Sequence, residues 1–427
     1  MTLAGARPRL LLVAMNYAPE LSGTAPYTTT WAQHLSRRAD VLVLAGVPHY
    51  PQWQIHDGYG RWSEEGTEYG VRVRRLRHHV PARTTPAHRV AHEASFGARV
   101  LTQRLPRPDA VLAVSPPLFG AGAAGRLARR FGVPFGLVVQ DLYGRGATEL
   151  GHRGPAADRL GELESRIVAG ADAVVTISDR FRSVLTSQLG VSEQRITVVG
   201  NWSSVPVAPA TRQAVRVRMG WQREFVALHA GNIGAKQGLE NIVEAARLAD
   251  RDQAPVRFVL VGDGNARASV AARAAGVQRL TMLPSASPRE HAGLLAAADV
   301  LLVNEVPGVA EMSLPSKLTS YFAAGRAVLA ATGAEGATAE LLRRSGAGVR
   351  VDPADAAALL DAVLDLRNHP DAAATHAALG QRYSSRHQSL PAAMRAYDDW
   401  VDHLLAGATS AVGARRPLAL AGPPGSH

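Results

Sequence analysis

The chain has 427 residues, 46% of them hydrophobic, which is enough to fill the cores of two domains. It has no cysteine, so disulfides and thiolate metal sites are excluded, in keeping with a reducing compartment. The net charge is +11, and residues 72–107 carry nine Arg against one acid, Glu93. Such a patch suits anionic lipid, phosphorylated ligands or a plain solvated face, while no aromatic ladder, basic helix-turn-helix or zinc spacing supports nucleic acid.

The opening segment, "MTLAGARPRLLLVAMNYAPE", has a short apolar run that ends at Asn16 and reads as a first strand, not a signal peptide. No uncharged apolar run reaches the ~18 residues of a membrane span. Short apolar runs then alternate with helical spacing. "RLLLVAM", "DVLVLAG", "VRVRRL", "DAVLAVS", "FGLVVQD", "DAVVTIS" and "RITVVGN" predict strands. After a polar, Pro-containing connector near 203–212 the rhythm restarts with "EFVALHAG", "VRFVLVGDG", "RLTMLPS", "ADVLLVN", "RAVLAAT" and "AGVRV". Strand–helix alternation predicts parallel sheets covered on both faces, and two such runs predict an α/β chain of two doubly wound domains facing a cleft. "QSLPAAMRAYDDWVDHLLAG" predicts a final amphipathic helix, and the Gly/Pro/Ala-rich residues 406–427 a disordered tail.

Ligands of open α/β sheets bind outside the carboxyl ends of the strands, so the loops there carry the functional reading. In "NYAPELSGTAPYTTTWAQHL", Gly23 precedes a helix opening near Pro26. It either lets a phosphate or sugar approach the backbone or belongs to a structural loop. This is not a G-x-G-x-x-G loop, which disfavours a dinucleotide cofactor. In "HAGNIGAKQGLE", Gly231, Gly234 and Gly238 surround Asn232, Lys236 and Gln237, a candidate phosphate cradle. The turn Gly262–Asp263–Gly264 brings backbone close to a neighbour or simply joins strand to helix. In "VNEVPGVAEMSLPSKLTSYFAAG" the stretch Ser313–Leu314–Pro315 opens a helix whose Ser316 and Lys317 amides face outward. A pyrophosphate there gains the helix dipole and the Lys317 ammonium together. Glu311 is placed to accept from sugar hydroxyls, and Ser320, on the face of Ser316, to reach a ribose.

Of the 47 basic residues only Lys236 and Lys317 are lysines; the rest are arginines. A compact ammonium with rotatable donors is harder to replace beside a phosphate than on an open surface, so both lysines are expected on one ligand.

These stretches, together with "PHYPQWQIHDGY", "VVQDLY", "VVGNWS" and "LPSKLTSYFAAG", resemble glycosyltransferase family 4 of the retaining GT-B superfamily, above all bacterial exopolysaccharide enzymes of the colanic-acid type. The resemblance covers roughly residues 9–405. It implies two Rossmann-like domains, with residues 1–205 binding the acceptor, 206–385 holding a nucleotide-sugar donor, and the helix at 386–405 crossing back. It implies a lipid-linked or glycan acceptor, no cofactor and no metal. The leaving diphosphate would be stabilised by amides, dipoles and lysine. Asp141 in "VVQDLYGRG" would orient the acceptor or serve as base, or else cap its own turn. The chain departs from the family pattern in several places. Asn232 and Gln237 stand where many members have Arg and Lys on the phosphates, with Lys236 adjacent. Ser320 stands at the second of two Glu spaced by seven, the first falling at Met312 or Glu311. Lys317 would then replace the charge lost from the other loop. The expected protein is a cytoplasmic, membrane-peripheral, metal-independent hexosyltransferase. Its rivals are a non-hydrolysing sugar-nucleotide epimerase, for which His49 and His56 are the available histidines, and a catalytically silent sugar-nucleotide-binding protein.

Overall fold

The computed structural model describes residues 7–20, 23–50, 52–82, 85–142, 155–202, 211–307 and 317–413. The expected contacts of Glu311, Ser313, Leu314, Pro315 and Ser316 lie outside them. The chain divides into two compact units. One comprises Met1–Asp141, Arg159–Val199 and Met394–His427, the other Leu142–Asp158 and Gly200–Ala393.

The first unit is built on an eight-stranded sheet. Its strands are β1 (Arg9–Ala14), β2 (Asp40–Gly46), β3 (Ser63–Glu68), β4 (Val71–Leu76), β5 (Ala110–Ser115), β6 (Phe135–Val139), β7 (Ala173–Thr176) and β8 (Ile196–Val198). Their order is β3-β4-β2-β1-β5-β6-β7-β8. All neighbouring pairs are parallel except β3 with β4. The central strands are buried almost throughout, as strands covered on both faces must be.

The second unit carries β9 (Phe225–Ala230), β10 (Val256–Val261), β11 (Leu280–Leu283), β12 (Val300–Asn304), β13 (Ala327–Ala331) and β14 (Gly348–Val351) in one parallel sheet, order β11-β10-β9-β12-β13-β14. Two apolar layers, one around Ile242, Phe258 and Val363 and one around Leu295, Tyr321 and Phe322, cover its faces. Both sheets are doubly wound, as the alternation predicts.

The last helix, Leu390–Gly413, starts in the second unit and from Met394 onward belongs to the first. There Tyr397 stacks on Trp31 at 4.7 Å, His34 Nε2 meets Asp398 at 2.8 Å, and a side chain at Gly136 would collide with Trp400 and Leu404. This helix runs on through residues 406–413, where a disordered tail is expected from the composition; the alanines there are good helix formers.

Among the strands of the described residues, β3 is the one whose sequence, "SEEGTE", carries no apolar pattern. It is held by register: Glu65 lies opposite Arg74, which donates to it at 2.8 Å, and Glu68 pairs with the buried Arg75. The arginine patch of 72–107 is therefore partly neutralised by acids just outside that window.

Candidate functional site

In the second unit three loops meet at the carboxyl ends of β9, β10 and β12. Gly262 and Gly264 follow β10 with φ +142° and +155°, backbone that side-chain-bearing residues rarely adopt. A Cβ at Gly262 would lie 1.9 Å from the Gly231 carbonyl oxygen, and one at Gly264 would lie 2.3 Å from that of Ile233. The two loops are thus packed backbone to backbone. Gly231 N donates to Val261 O at 2.9 Å, and Ile233 N to Asp263 O at 2.8 Å. The close neighbour of the Gly262–Asp263–Gly264 turn is the other glycine-rich loop.

The end of β12 is tied in by one buried amide. Asn304 Nδ2 donates to the carbonyls of Gln237 (2.9 Å) and Gly238 (2.8 Å), while its Oδ1 accepts from Asn241 Nδ2 at 2.9 Å. Val306 N donates to Lys236 O at 3.1 Å. A side chain at Gly238 would press on Asn304 and Val306.

Lys317 opens the helix Lys317–Ala323 and reaches across to β9. Its Nζ lies 3.3 Å from His229 Nε2. His229 is fully buried, and its Nδ1 donates to Leu302 O at 3.2 Å, which leaves the Nε2 lone pair to accept from the ammonium. Burial, and next the Lys317 charge, hold His229 well below the usual imidazole range, so it is neutral. Burial also pulls Lys317 down to about 8, opposed by the Glu305 carboxylate. Glu305 is in turn held by the hydroxyls of Thr332 and Thr338. The ammonium stands over Gly231, where a Cβ would come within 3.7 Å of Nζ.

The expected residues divide accordingly. Lys317, Gly262, Asp263, Gly264 and the Asn232 loop converge. Lys236 is exposed on a short turn, and its link to the other loops is its own carbonyl. Gln237 Oε1 accepts from Gly234 N at 3.1 Å and closes that turn. Ser320 is buried and donates to Lys317 O at 2.8 Å, so its proton serves the helix. Asp141 and Gly23 belong to the first unit. Asp141 is exposed two residues past β6, and Gly23 has φ +64° beside the Tyr50 ring. His229 was not singled out by spacing, although a lone imidazole inside a fully apolar strand is a signal of a polar task.

Residues 22–202 match the glycosyl transferase 4-like domain and residues 224–369 the glycosyl transferases group 1 domain. WcaI of Escherichia coli strain K12, named for colanic acid biosynthesis, is 32% identical over 337 residues, 74% of this chain and 81% of the relative. WbjE of Pseudomonas aeruginosa, named as a glycosyltransferase, is 28% identical over 66% of this chain and 73% of its own length. Among solved structures, a sucrose-phosphate synthase from Thermosynechococcus elongatus superposes with TM-score 0.72 at 17% identity, covering 94% of this chain and all of that one. HepE of Anabaena, in complex with UDP, gives TM-score 0.68 at 16% identity over 92% of this chain. With two Rossmann-like units, a glycine-and-lysine cradle in the second and a relative of this identity and coverage, the chain belongs to glycosyltransferase family 4 and has the GT-B fold.

Proposed function

We propose that the protein is a retaining glycosyltransferase. It moves a hexose from a nucleoside-diphosphate donor to a lipid-linked or glycan acceptor in cell-surface polysaccharide synthesis. The observation that carries this reading is the Lys317 ammonium, desolvated, aimed by neutral His229 and standing over the glycine Gly231. Charge developing on a leaving diphosphate is stabilised most by a preorganised cation in a dry site. Supporting the donor class, HepE is described with UDP and with UDP-glucose, and an Escherichia coli trehalose-6-phosphate structure with UDP-2-fluoro glucose. The relative named for colanic acid biosynthesis supports the polysaccharide context.

In this mechanism the donor diphosphate lies over Gly231, with the Lys317 ammonium taking its charge. Lys236 supplies a second, more distant charge. The acceptor hydroxyl attacks from the face that the diphosphate leaves, and a phosphate oxygen takes its proton. Asp141, in the other unit, orients the acceptor. Donor activation by lysine needs no divalent cation.

The protein works in the cytoplasm at the membrane face. Among the described residues no helix is long and apolar enough to span a bilayer. On the helix Pro86–Leu101, Val90 and Leu101 are exposed, and the Arg99 guanidinium stacks 3.9 Å over exposed Trp62. That mixture suits a lipid surface.

Calorimetric titration with UDP, ADP and GDP tests the donor assignment. One nucleotide should bind the wild type and bind Lys317→Ala at least about tenfold more weakly, since a charge-assisted contact of this kind contributes on the order of 1.5–3 kcal/mol. Equal affinities would overturn it. Transfer from the matching nucleotide sugar should persist in EDTA; loss restored by Mg²⁺ or Mn²⁺ would overturn metal-independent activation.

A further inference from the structure

Three histidines far apart in sequence meet in the first unit. His49 follows β2, His78 follows β4, and His92 lies in the helix Pro86–Leu101. All three are buried. Their ring centroids stand 5.2 Å (His49–His78), 4.7 Å (His49–His92) and 4.8 Å (His78–His92) apart. One ring nitrogen of each lies within 4.8 Å of those of the other two.

The hydrogen bonds decide the tautomers. His49 Nδ1 donates to Val47 O at 2.9 Å, His78 Nδ1 to Leu76 O at 3.1 Å and His92 Nδ1 to His79 O at 2.6 Å. Carbonyl oxygens only accept, so each Nδ1 carries the proton and each Nε2 keeps its lone pair. Metal-bound histidines are held in this way, with the far N–H on a carbonyl or carboxylate. His49 has both, because the Glu20 carboxylate also stands 3.5 Å from its Nδ1. His78 Nε2 is buried with no partner, an unmet acceptor where buried polar atoms are normally satisfied. The pocket is shaped for the ring: a Cβ at Gly46 would come within 2.7 Å of His78 Cε1.

We propose that His49, His78 and His92 bind a zinc ion through three imidazole nitrogens, with water in a fourth position. Neutral imidazoles are good ligands for this borderline cation, and three protein ligands with one open position are an established zinc geometry. Tetrahedral zinc with nitrogens at ~2.0–2.1 Å needs them about 3.3 Å apart, so binding draws the rings inward by up to about 1.5 Å. In this tautomer each Nε2 already presents a lone pair to the ion. Trp53, edge-on to His49 at 5.8 Å and tilted over His92 at 5.3 Å, covers one side.

The ion orders a loop. Glu20 accepts from the backbone amides of His49 and Tyr50 at 2.8 and 2.9 Å, and the Tyr50 ring lies beside Gly23. Clamping His49 to His92 therefore fixes the loops after β1 and β2 at the carboxyl edge of the first sheet. All the ligands lie within residues 49–92 of the first unit, whereas Lys317 and its partners belong to the second.

The test uses the full-length chain, stripped with chelator and desalted. Zn²⁺ titration should show one saturable equivalent per chain and a rise in Tm of several degrees. Co²⁺ should give the intense visible absorption of a tetrahedral nitrogen-ligated site. His92→Asn and His78→Gln should each weaken binding at least about 100-fold, and His376→Gln, in the other unit, should not. Lack of a one-to-one step in the wild type would overturn the proposal, and so would a Co²⁺ spectrum unchanged in a folded His92→Asn variant. If His78→Gln fails to fold, the wild-type stoichiometry and the His92 variant still decide.

Discussion

Replacing Lys317 by Met should stabilise the protein while weakening the donor site. The two side chains are similar in length, so the change removes mainly the buried charge. Holding the ammonium at about 8 instead of 10.5 costs 1.36 kcal/mol per pH unit, or about 3 kcal/mol at neutral pH. The gain has a pH signature. Between about 8 and 10.5 the unfolded chain binds the lysine proton and the folded protein does not, so wild-type stability rises with pH across that window. The Met variant lacks this rise. Its advantage should therefore be largest at pH 7, up to about 3 kcal/mol, and shrink toward zero near pH 10. Urea denaturation of both proteins at pH 7 and pH 10 measures it, with nucleotide titration alongside. A Met variant less stable at pH 7, or a gain equal at both pH values, would refute the claim that Lys317 is a strained, desolvated cation held for its ligand.

Gly262→Ala places a Cβ 1.9 Å from the Gly231 oxygen at φ +142° and should cost about 2–4 kcal/mol; an unchanged urea midpoint would contradict the backbone-to-backbone packing. Stability should fall as pH drops from 6.5 toward 4, because His49, His78 and His92 are depressed in the fold and the unfolded chain binds the protons first. Denaturation midpoints across that range check it, and a folded His92→Gln variant should show a shallower slope. Sedimentation with vesicles should rise with anionic lipid and fall with salt, and more steeply so for the wild type than for Arg89→Glu. Equal binding to neutral and anionic vesicles would leave the patch as a solvated face.

The parallel strands were legible because strands buried on both faces read as continuous apolar runs between helical patterns. β3 was not, because it is stabilised by charges on a partner strand and presents no period of its own. The glycine loops could be read as sites of close approach, but what they approach is fixed by pairing between β9 and β10. The two lysines looked equivalent by rarity. The fold separates them: one is buried against His229, the other sits in solvent. The histidine triad was invisible for a related reason. Three positions spread over 44 residues share no motif and meet only because β2 and β4 are neighbours.

The acidic edge strand also bears on how the chain keeps apart from copies of itself. An eight-stranded sheet has two open margins, each a row of unpaired amides and carbonyls able to recruit another strand. At one margin β8 is only three residues long, too short to template much. At the other, β3 lines its border with Glu64, Glu65 and Glu68. Pairing a second strand there would desolvate Glu64, Glu65 and Glu68 together with the arginines they pair, a cost that makes this margin a poor template for another copy.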